Sequence, residues 1–433
     1  MTNRLFPSGH ATHPQWRMAA ALVLAQLKAQ MAQPGFARSP SLGLLYITDH
    51  YAADARELLA FMEQELPDVK GWSGTVGVGV AGNNVEYFDE PALSVMLCDL
   101  PPDQWRIFSG IAPPPRAGSG DWETRFALVH ADQETPDLIE VLYELASRTT
   151  SQYLFGGLSA SRGAHVQFAL DRLRNIGRKV HADEDDSGVL RGGLSGVAFS
   201  PAVQWVSRVT HGCRPIGPWS IVTAVHENLV LELDGVPALD VLLETLNVSL
   251  QGDTQLAIEA VRATQAGLLD VGQPEPRSAG FLNAATRVRH IVGLDATRRG
   301  VALAESVEQG SLLAFCQRNT KAARADLMRV CAEIREELSP VEDFLPAHGN
   351  APDPDLLPDQ WSTSRQILGA VYVSCSARGG LFFGGANAEM QIVRRALGDV
   401  PLTGFFAGGE IAAHRLCGYT GVLTVFVDDV PVP

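Results

Sequence analysis

Two periods of apolar residues alternate along this chain, and the switch between them recurs. LGLLYITD (42–49) is a continuous apolar run closing on Asp49, the pattern of a buried strand. AADARELLAFMEQEL (52–66) follows with Leu58, Leu59, Phe61, Met62 and Leu66 at helical spacing. A glycine-punctuated strand, PDVKGWSGTVGVGVAG, an Asn83-Asn84 turn and two strand-like runs ending in LSVMLCDLP complete the unit.

The same order returns near the end. ILGAVYVSCSARG (367–379) predicts a strand, NAEMQIVRRAL (387–397) a helix, GDVPLTGFFAGGEI a glycine-rich strand and GYTGVLTVFVDD the closing strand. A looser third copy lies in the middle: RFALVHAD (125–132), the helix DLIEVLYELAS (137–147), then SQYLFGGLSASR, LRGGLSGVAFSP and VQWVSRVTHG. Short antiparallel runs after each helix predict an α+β fold, with strand-helix-strand-strand units in mixed, largely antiparallel sheets flanked by helices. Pro/Gly/Asp-rich connectors are expected at 112–121 and 347–360. Between about 253 and 338 the pattern predicts a largely helical segment, with Leu327, Val330, Cys331, Ile334 and Leu338 on one face. The expected division is an N-terminal domain over 1–230 and a C-terminal domain over 231–433, closed by an α+β unit at about 361–430.

Composition narrows the function classes. At 433 residues the chain exceeds one ordinary core. Its 46% apolar and 19% charged residues fit a well-buried globular protein. A net charge of −15 argues against nucleic acid or an anionic membrane as partner, since phosphate contacts need clustered Lys and Arg. The six cysteines are scattered without a C-x-x-C pair, which reads as reduced thiols and not as a disulfide framework or zinc site. MTNRLFPSGHATHPQW lacks the apolar core of a secretory signal, and no apolar run reaches about 18 residues. A cytoplasmic protein is the expectation.

Several motifs fail on their context. Gly77-Val78-Gly79-Val80-Ala81-Gly82 matches G-x-G-x-x-G, but another strand follows where a dinucleotide site needs a helix. Asp183, Asp185, Ser187 and Gly188 open like a calcium loop, yet Leu194 stands where the bidentate acid is needed. His10 and His13 alone make a poor metal site. No G-x-S-x-G, H-E-x-x-H or G-K-[ST] motif is present, which weighs against an enzyme. What remains are compact polar groups in glycine-rich surroundings: HGCRPIGPW (211–219), SCSARG (374–379), FAGGEI (406–411) and GYTG (418–421). Arg378 and Glu410 in one pocket would suit a zwitterion, and the competing reading is a buried ion pair. Cys375, three residues before Arg378, is a candidate low-pKa nucleophile, or else a buried apolar thiol. No base beside it is visible in the sequence.

These segments carry a resemblance. CSARG, GGANAEM, GDVPLTGFFAGGEI and GYTGVLTVF resemble the C-terminal domain of FIST proteins; GWSGTVGVGV, YLFGGLSASR, GGLSGVAFS, THGCRPIGPW and LELDGVPALDVL resemble the N-terminal domain and its junction. The resemblance implies a sensory module of intracellular signal transduction, found fused to kinase, cyclase or chemoreceptor outputs in bacteria and to an F-box in eukaryotes. It implies a small ligand such as an amino acid, with haem as the alternative. No fused output region is left to assign in this chain, so a separate signalling protein partner is expected. The motif positions carried over are Cys213, Arg214 and Pro215; Cys375, Arg378 and Gly379; Gly409 and Glu410; and Tyr419, Thr420 and Gly421. The candidate ligand-binding residues are Arg378, Glu410, Cys375, Arg214, Tyr419 and Thr420, in a pocket expected where the two domains join.

Overall fold

A computed structural model describes residues 4–116, 118, 122–174, 187–249, 254–274, 282–283, 285–339 and 363–431. Asp183, Asp185 and the 347–360 connector lie outside these residues, as does part of the 112–121 connector. The chain forms two compact units. The first comprises 1–209, 328–416 and 421–433, and the second Thr210–Leu327 with Cys417–Thr420.

The first unit opens with β1 (Ser8–Thr12), α1 (Trp16–Met31), β2 (Leu42–Thr48), α2 (Ala55–Glu65), β3 (Gly71–Gly77), β4 (Gly79–Gly82), β5 (Val85–Phe88) and β6 (Ala92–Cys98). All seven residues of β2 are buried, and α2 turns Leu58, Leu59 and Met62 inward. The helix carries the chain over the sheet, so β2 and β3 pair in parallel, while β6 returns antiparallel to β2. A second copy follows: β7 (Trp105–Ser109), β8 (Phe126–Ala131), α3 (Leu138–Ser147), β9 (Tyr153–Leu158), β10 (Gln167–Asp171), β11 (Val189–Leu190) and β12 (Leu194–Phe199). Here β8 and β9 are the parallel pair, and β12 lies antiparallel to β8. Next comes β13 (Gln204–His211). Gly77 ends β3 and Gly79 opens β4, so the G-x-G-x-x-G stretch leads into a strand, as its context predicts.

The second unit is a small barrel. Its elements are β14 (Cys213–Pro215), β15 (Ser220–His226), β16 (Leu229–Leu233), β17 (Val236–Pro237), α4 (Ala238–Leu246), α5 (Thr254–Arg262), β18 (Thr264–Leu269), β19 (Arg287–Asp295), β20 (Gly300–Leu303) and β21 (Leu312–Arg318). The order β21-β15-β16-β20-β19-β18 is antiparallel throughout, and β18 pairs back to β21, closing the circle. Closure leaves these six strands without a free edge. Val222, Val230, Leu268, Val301 and Phe315 fill the interior together with Leu239 and Leu242 of α4. The expected helical segment at 253–338 is therefore corrected. Among its described residues it is helical only at its ends, in α5 and α6 (Thr320–Leu338), with four strands between them. The outward positions of β19, including His290, Val292 and Leu294, alternate with more covered ones, a period-two signal that the flanking helical patterns overshadow.

The third copy returns to the first unit: β22 (Thr363–Cys375), α7 (Ala388–Leu397), β23 (Leu402–Ala407), β24 (Glu410–Ala413), β25 (Arg415–Cys417) and β26 (Thr420–Pro431). Again the first two strands are parallel and the last is antiparallel to the first. The three sheets have one common order: β1-β6-β2-β3-β10-β11, β7-β12-β8-β9-β24-β25 and β13-β26-β22-β23-β4-β5. Each copy gives its hairpin away. The β4–β5 hairpin of the first copy completes the third sheet, β10–β11 of the second completes the first, and β24–β25 of the third completes the second. The repeats are thus joined in a closed cycle.

Register places three buried rows on equivalent positions: Ser94–Tyr46–Thr75–Gln167, Ser195–His130–Gly157–Glu410 and Val422–Val373–Phe405–Val80. The rows meet where Tyr46 stacks on Phe405 at 5.0 Å and touches His130 edge-on at 5.5 Å. The Tyr46 hydroxyl and His130 Nε2 share a 3.2 Å hydrogen bond, and burial pushes the imidazole down to about 3. His130 is therefore neutral at the centre of the unit.

Gly74, Gly156 and Gly404 sit directly opposite Leu45, Val129 and Tyr372 in the three parallel pairs. A methyl group on them would stand 1.7, 1.9 and 1.8 Å from the facing carbonyl oxygen. Alanine at any of the three is expected to destabilise the protein by about 3 kcal/mol or more. Gly385→Ala, where nothing lies within 4 Å, is expected to change it by less than about 0.5 kcal/mol. Urea unfolding followed by circular dichroism reads both.

No helix among the described residues is long and apolar enough to cross a membrane.

Candidate functional site

The C-terminal end of β22 carries Tyr372, Ser374 and Cys375 and runs into a short helical turn, Ser376–Arg378. Arg378 is 1% exposed. Its Nη2 and Nε donate to Glu389 Oε1 at 2.7 and 3.1 Å, and Nη2 also donates to the Tyr372 hydroxyl at 3.2 Å. Tyr372 donates to Glu389 at 2.6 Å, and Ser374 Oγ donates to the same carboxylate at 3.1 Å. The Phe383 ring lies 5.0 Å from the guanidinium carbon. Glu389 stands in the first turn of α7 and is fully buried.

The start of α7 is capped from elsewhere. Asn387 takes a left-handed backbone, φ 61°, and its Oδ1 accepts the N–H of Glu86 at 2.7 Å. In return Glu86 Oε1 accepts the N–H groups of Glu389 and Met390 at 2.9 and 3.1 Å, satisfying two helix-start donors. Glu86 lies on β5, so this exchange ties the donated hairpin to the third copy.

Burial works against the charge on Arg378, but Tyr372, Glu389 and Glu410 outweigh it and hold its pKa above the ordinary value. Burial first, and the Glu389 charge second, push the Glu86 carboxyl up to about 7. The Tyr372 phenol is raised well above its ordinary value by burial. The arrangement is that of a buried ion pair, the competing reading given for Arg378 from sequence. Glu410 heads β24 at the same position in its hairpin as Gln167 and Val80, fully buried. Cys375 is 7% exposed.

The other candidates belong to the second unit. Arg214 is exposed on β14 opposite Gln317. Tyr419 takes φ 59°, its carbonyl accepts the Gly212 N–H at 2.7 Å, and its hydroxyl meets His290 Nε2 at 2.7 Å. The Arg318 guanidinium lies 5.5 Å from the Tyr419 ring centre, and Thr420 is 1% exposed. Tyr419 and Trp219 border the buried cluster of Cys213, Leu282, Val288 and Cys316, where burial raises the Cys316 thiol. Arg378, Glu410 and Cys375 are thus grouped in one unit, and Arg214, Tyr419 and Thr420 in the other. Among the described residues no group of three or more His, Cys, Asp or Glu side chains is placed to hold a metal ion.

One opening is not marked by any sequence motif. A cavity of about 660 Å³ lies in the first unit, at the N-terminal ends of β2 and β3 and beside β22 and β26. Its lining carries Arg4 and Lys70 together with Asp68 and Asp99, and Asp428 of β26. Partial burial raises the Asp99 carboxyl, and the Arg4 charge draws it back. Leu100, Val203, Leu368 and Phe426 supply apolar walls. Arg4, Lys70, Asp68 and Asp99 stand outside the strands, where no spacing marks them.

Removing the cation from the buried network is expected to cost more than removing the pair. Arg378→Met strands Glu389 in the interior and should destabilise by about 3–5 kcal/mol, with Arg378→Met/Glu389→Gln recovering part of the loss in urea unfolding. For Glu86 the folded value lies above the unfolded one, so the native state holds the proton more tightly. Its stabilising contribution is full below about 4.5 and is lost as pH rises through about 7. Urea midpoints of the wild type should therefore fall between pH 5 and pH 8 by more than those of Glu86→Gln.

Comparison with known proteins matches two successive domains along the chain, whose boundary falls within the second compact unit. Residues 41–236 match the FIST N domain and residues 238–413 the FIST C domain. An uncharacterized protein of Mycobacterium tuberculosis is 28% identical over 425 residues, covering 97% of this chain and 99% of its own length. An uncharacterized protein of Mycobacterium bovis is 26% identical over 433 residues, covering 98% of each. FIST domains are associated with sensing in signal transduction. With both domains matched in order over most of its length, the chain belongs to the FIST family.

Proposed function

We propose that the protein is a sensory module that binds a small zwitterionic metabolite of the amino-acid class, and that a separate protein partner receives the signal. The carrying observation is the 660 Å³ cavity lined by two cations, Arg4 and Lys70, and three carboxylates, Asp68, Asp99 and Asp428. Its size falls in the range of small-ligand sites, about 300–1,000 Å³. The Arg4 fork suits a ligand carboxylate, and Asp99 or Asp68 suits an ammonium group. The apolar walls of Leu368 and Phe426 take the ligand side chain. Arg378, engaged with Glu389 and Tyr372, supports the fold under this reading, as does buried Cys375.

Thermal unfolding across a panel of amino acids tests the proposal. A matching ligand raises the melting temperature by several degrees, since binding to the folded state alone adds stability by mass action. Arg4→Ala/Lys70→Ala should abolish that rise while leaving the ligand-free melting temperature near the wild-type value. Absence of any shift, or a shift that survives the double substitution, overturns the reading. A Soret band on adding haem to the purified protein would replace it with a haem sensor, which needs an axial ligand elsewhere.

A further inference from the structure

A second, smaller opening of about 280 Å³ lies where β2 ends, lined in part by Trp16, Arg17, His50, Tyr51 and Asp54. The Trp16 ring is half-buried and braced edge-on by Phe61 at 6.0 Å. Tyr51 is 2% exposed and fixed by its hydroxyl, which donates to the His13 carbonyl. The aromatic walls are therefore rigid. The charges differ in how they are held. Asp49 is clamped by Arg162 and lies 3.4 Å from His50 Nδ1. Asp54 and Arg17 have no ion-pair partner among the described residues, although both border the same space.

Arg17 shows what the space accepts. Its guanidinium carbon stands 4.6 Å from the Trp16 ring centre, although Arg17 lies in the first turn of α1, where the helix dipole opposes a cation. The ring face offsets that opposition. Arg17 is exposed, so solvent can hydrate its guanidinium when a ligand displaces it from the ring. A cation entering from solvent would take its place over the ring and gain Asp54, which Arg17 does not engage. The net charge of −15 favours the approach of such a ligand.

We infer that this pocket binds a small organic cation carrying an amine or guanidinium group, with Trp16 as its stacking surface, Asp54 as its counter-charge and Arg17 as a built-in competitor. The site is separate from the groove of Arg4 and Lys70, so the two readings stand or fall independently.

Agmatine is the probe, titrated against the full chain with tryptophan fluorescence and calorimetry as readouts. Saturable binding is expected, weakened about tenfold or more in Asp54→Asn because a charged hydrogen bond is lost. Arg17→Ala should tighten it about three- to fivefold by removing the competing cation from the ring. Arg116→Ala, which removes an exposed cation elsewhere, should leave the affinity unchanged, as should Arg4→Ala/Lys70→Ala. No saturable binding at millimolar agmatine overturns the inference. So does equal binding by Asp54→Asn, or an Arg17→Ala effect no larger than that of Arg116→Ala.

Discussion

No sheet of the first unit is complete with the strands of its own repeat. Each parallel pair ends in an open edge on its second strand, and a hairpin from another repeat fills it. An exposed edge offers unpaired backbone donors and acceptors and invites association, so the exchange converts a liability into the joint that holds the repeats together. The interior follows from it: three equivalent rows of side chains converge because three equivalent sheets are fastened in a cycle. Tyr46, His130 and Phe405 meet there although they come from different repeats. Placing a neutral histidine at that centre is tolerable because burial suppresses its charge.

Each exchanged hairpin, or the segment leading into it, is also fastened by side chains, and the three fastenings differ in chemistry. Glu86 caps α7 and adjoins the fully buried Arg378–Glu389 pair. Arg162, ahead of β10, grips Asp49 beyond β2 through Nε at 2.7 Å and Nη2 at 2.8 Å. His414, between β24 and β25, packs on Tyr143 of α3 with ring centres 4.6 Å apart. The exposed Arg162 pair is screened by solvent and contributes modestly, whereas the buried one is severe if broken. This asymmetry sets the buried Arg378–Glu389 pair apart from the charges around the large cavity, which stay open to solvent.

Much of the first unit was legible in the chain because each repeat writes its own signals locally. A buried strand such as LGLLYIT is continuously apolar, α2 is amphipathic, and Gly74, Gly156 and Gly404 are imposed by the backbone oxygen opposite. Local signals do not encode which sheet a hairpin joins, since Val80 carries no mark of Phe405. For the same reason Arg378 was visible as an isolated charge while its capping neighbour Glu86 was not, lying 303 residues from Glu389. The barrel strands between 264 and 318 were lost because half-covered β19 alternates weakly between two strong helical patterns. Arg4, Lys70 and Asp99 fall outside the strands, and only the folded chain gathers them.

The exchange also sets a timetable for synthesis. The β4–β5 hairpin emerges early, yet its partner β23 begins only at Leu402. At ribosomal rates of roughly 5–20 residues per second, the hairpin waits on the order of 15–60 seconds for the strand it must pair with. Through that interval Val80 and Ala81 present an apolar edge with no native partner in existence. The nascent chain is thus exposed to wrong pairings for most of its time on the ribosome, and the exposure falls on the first repeat.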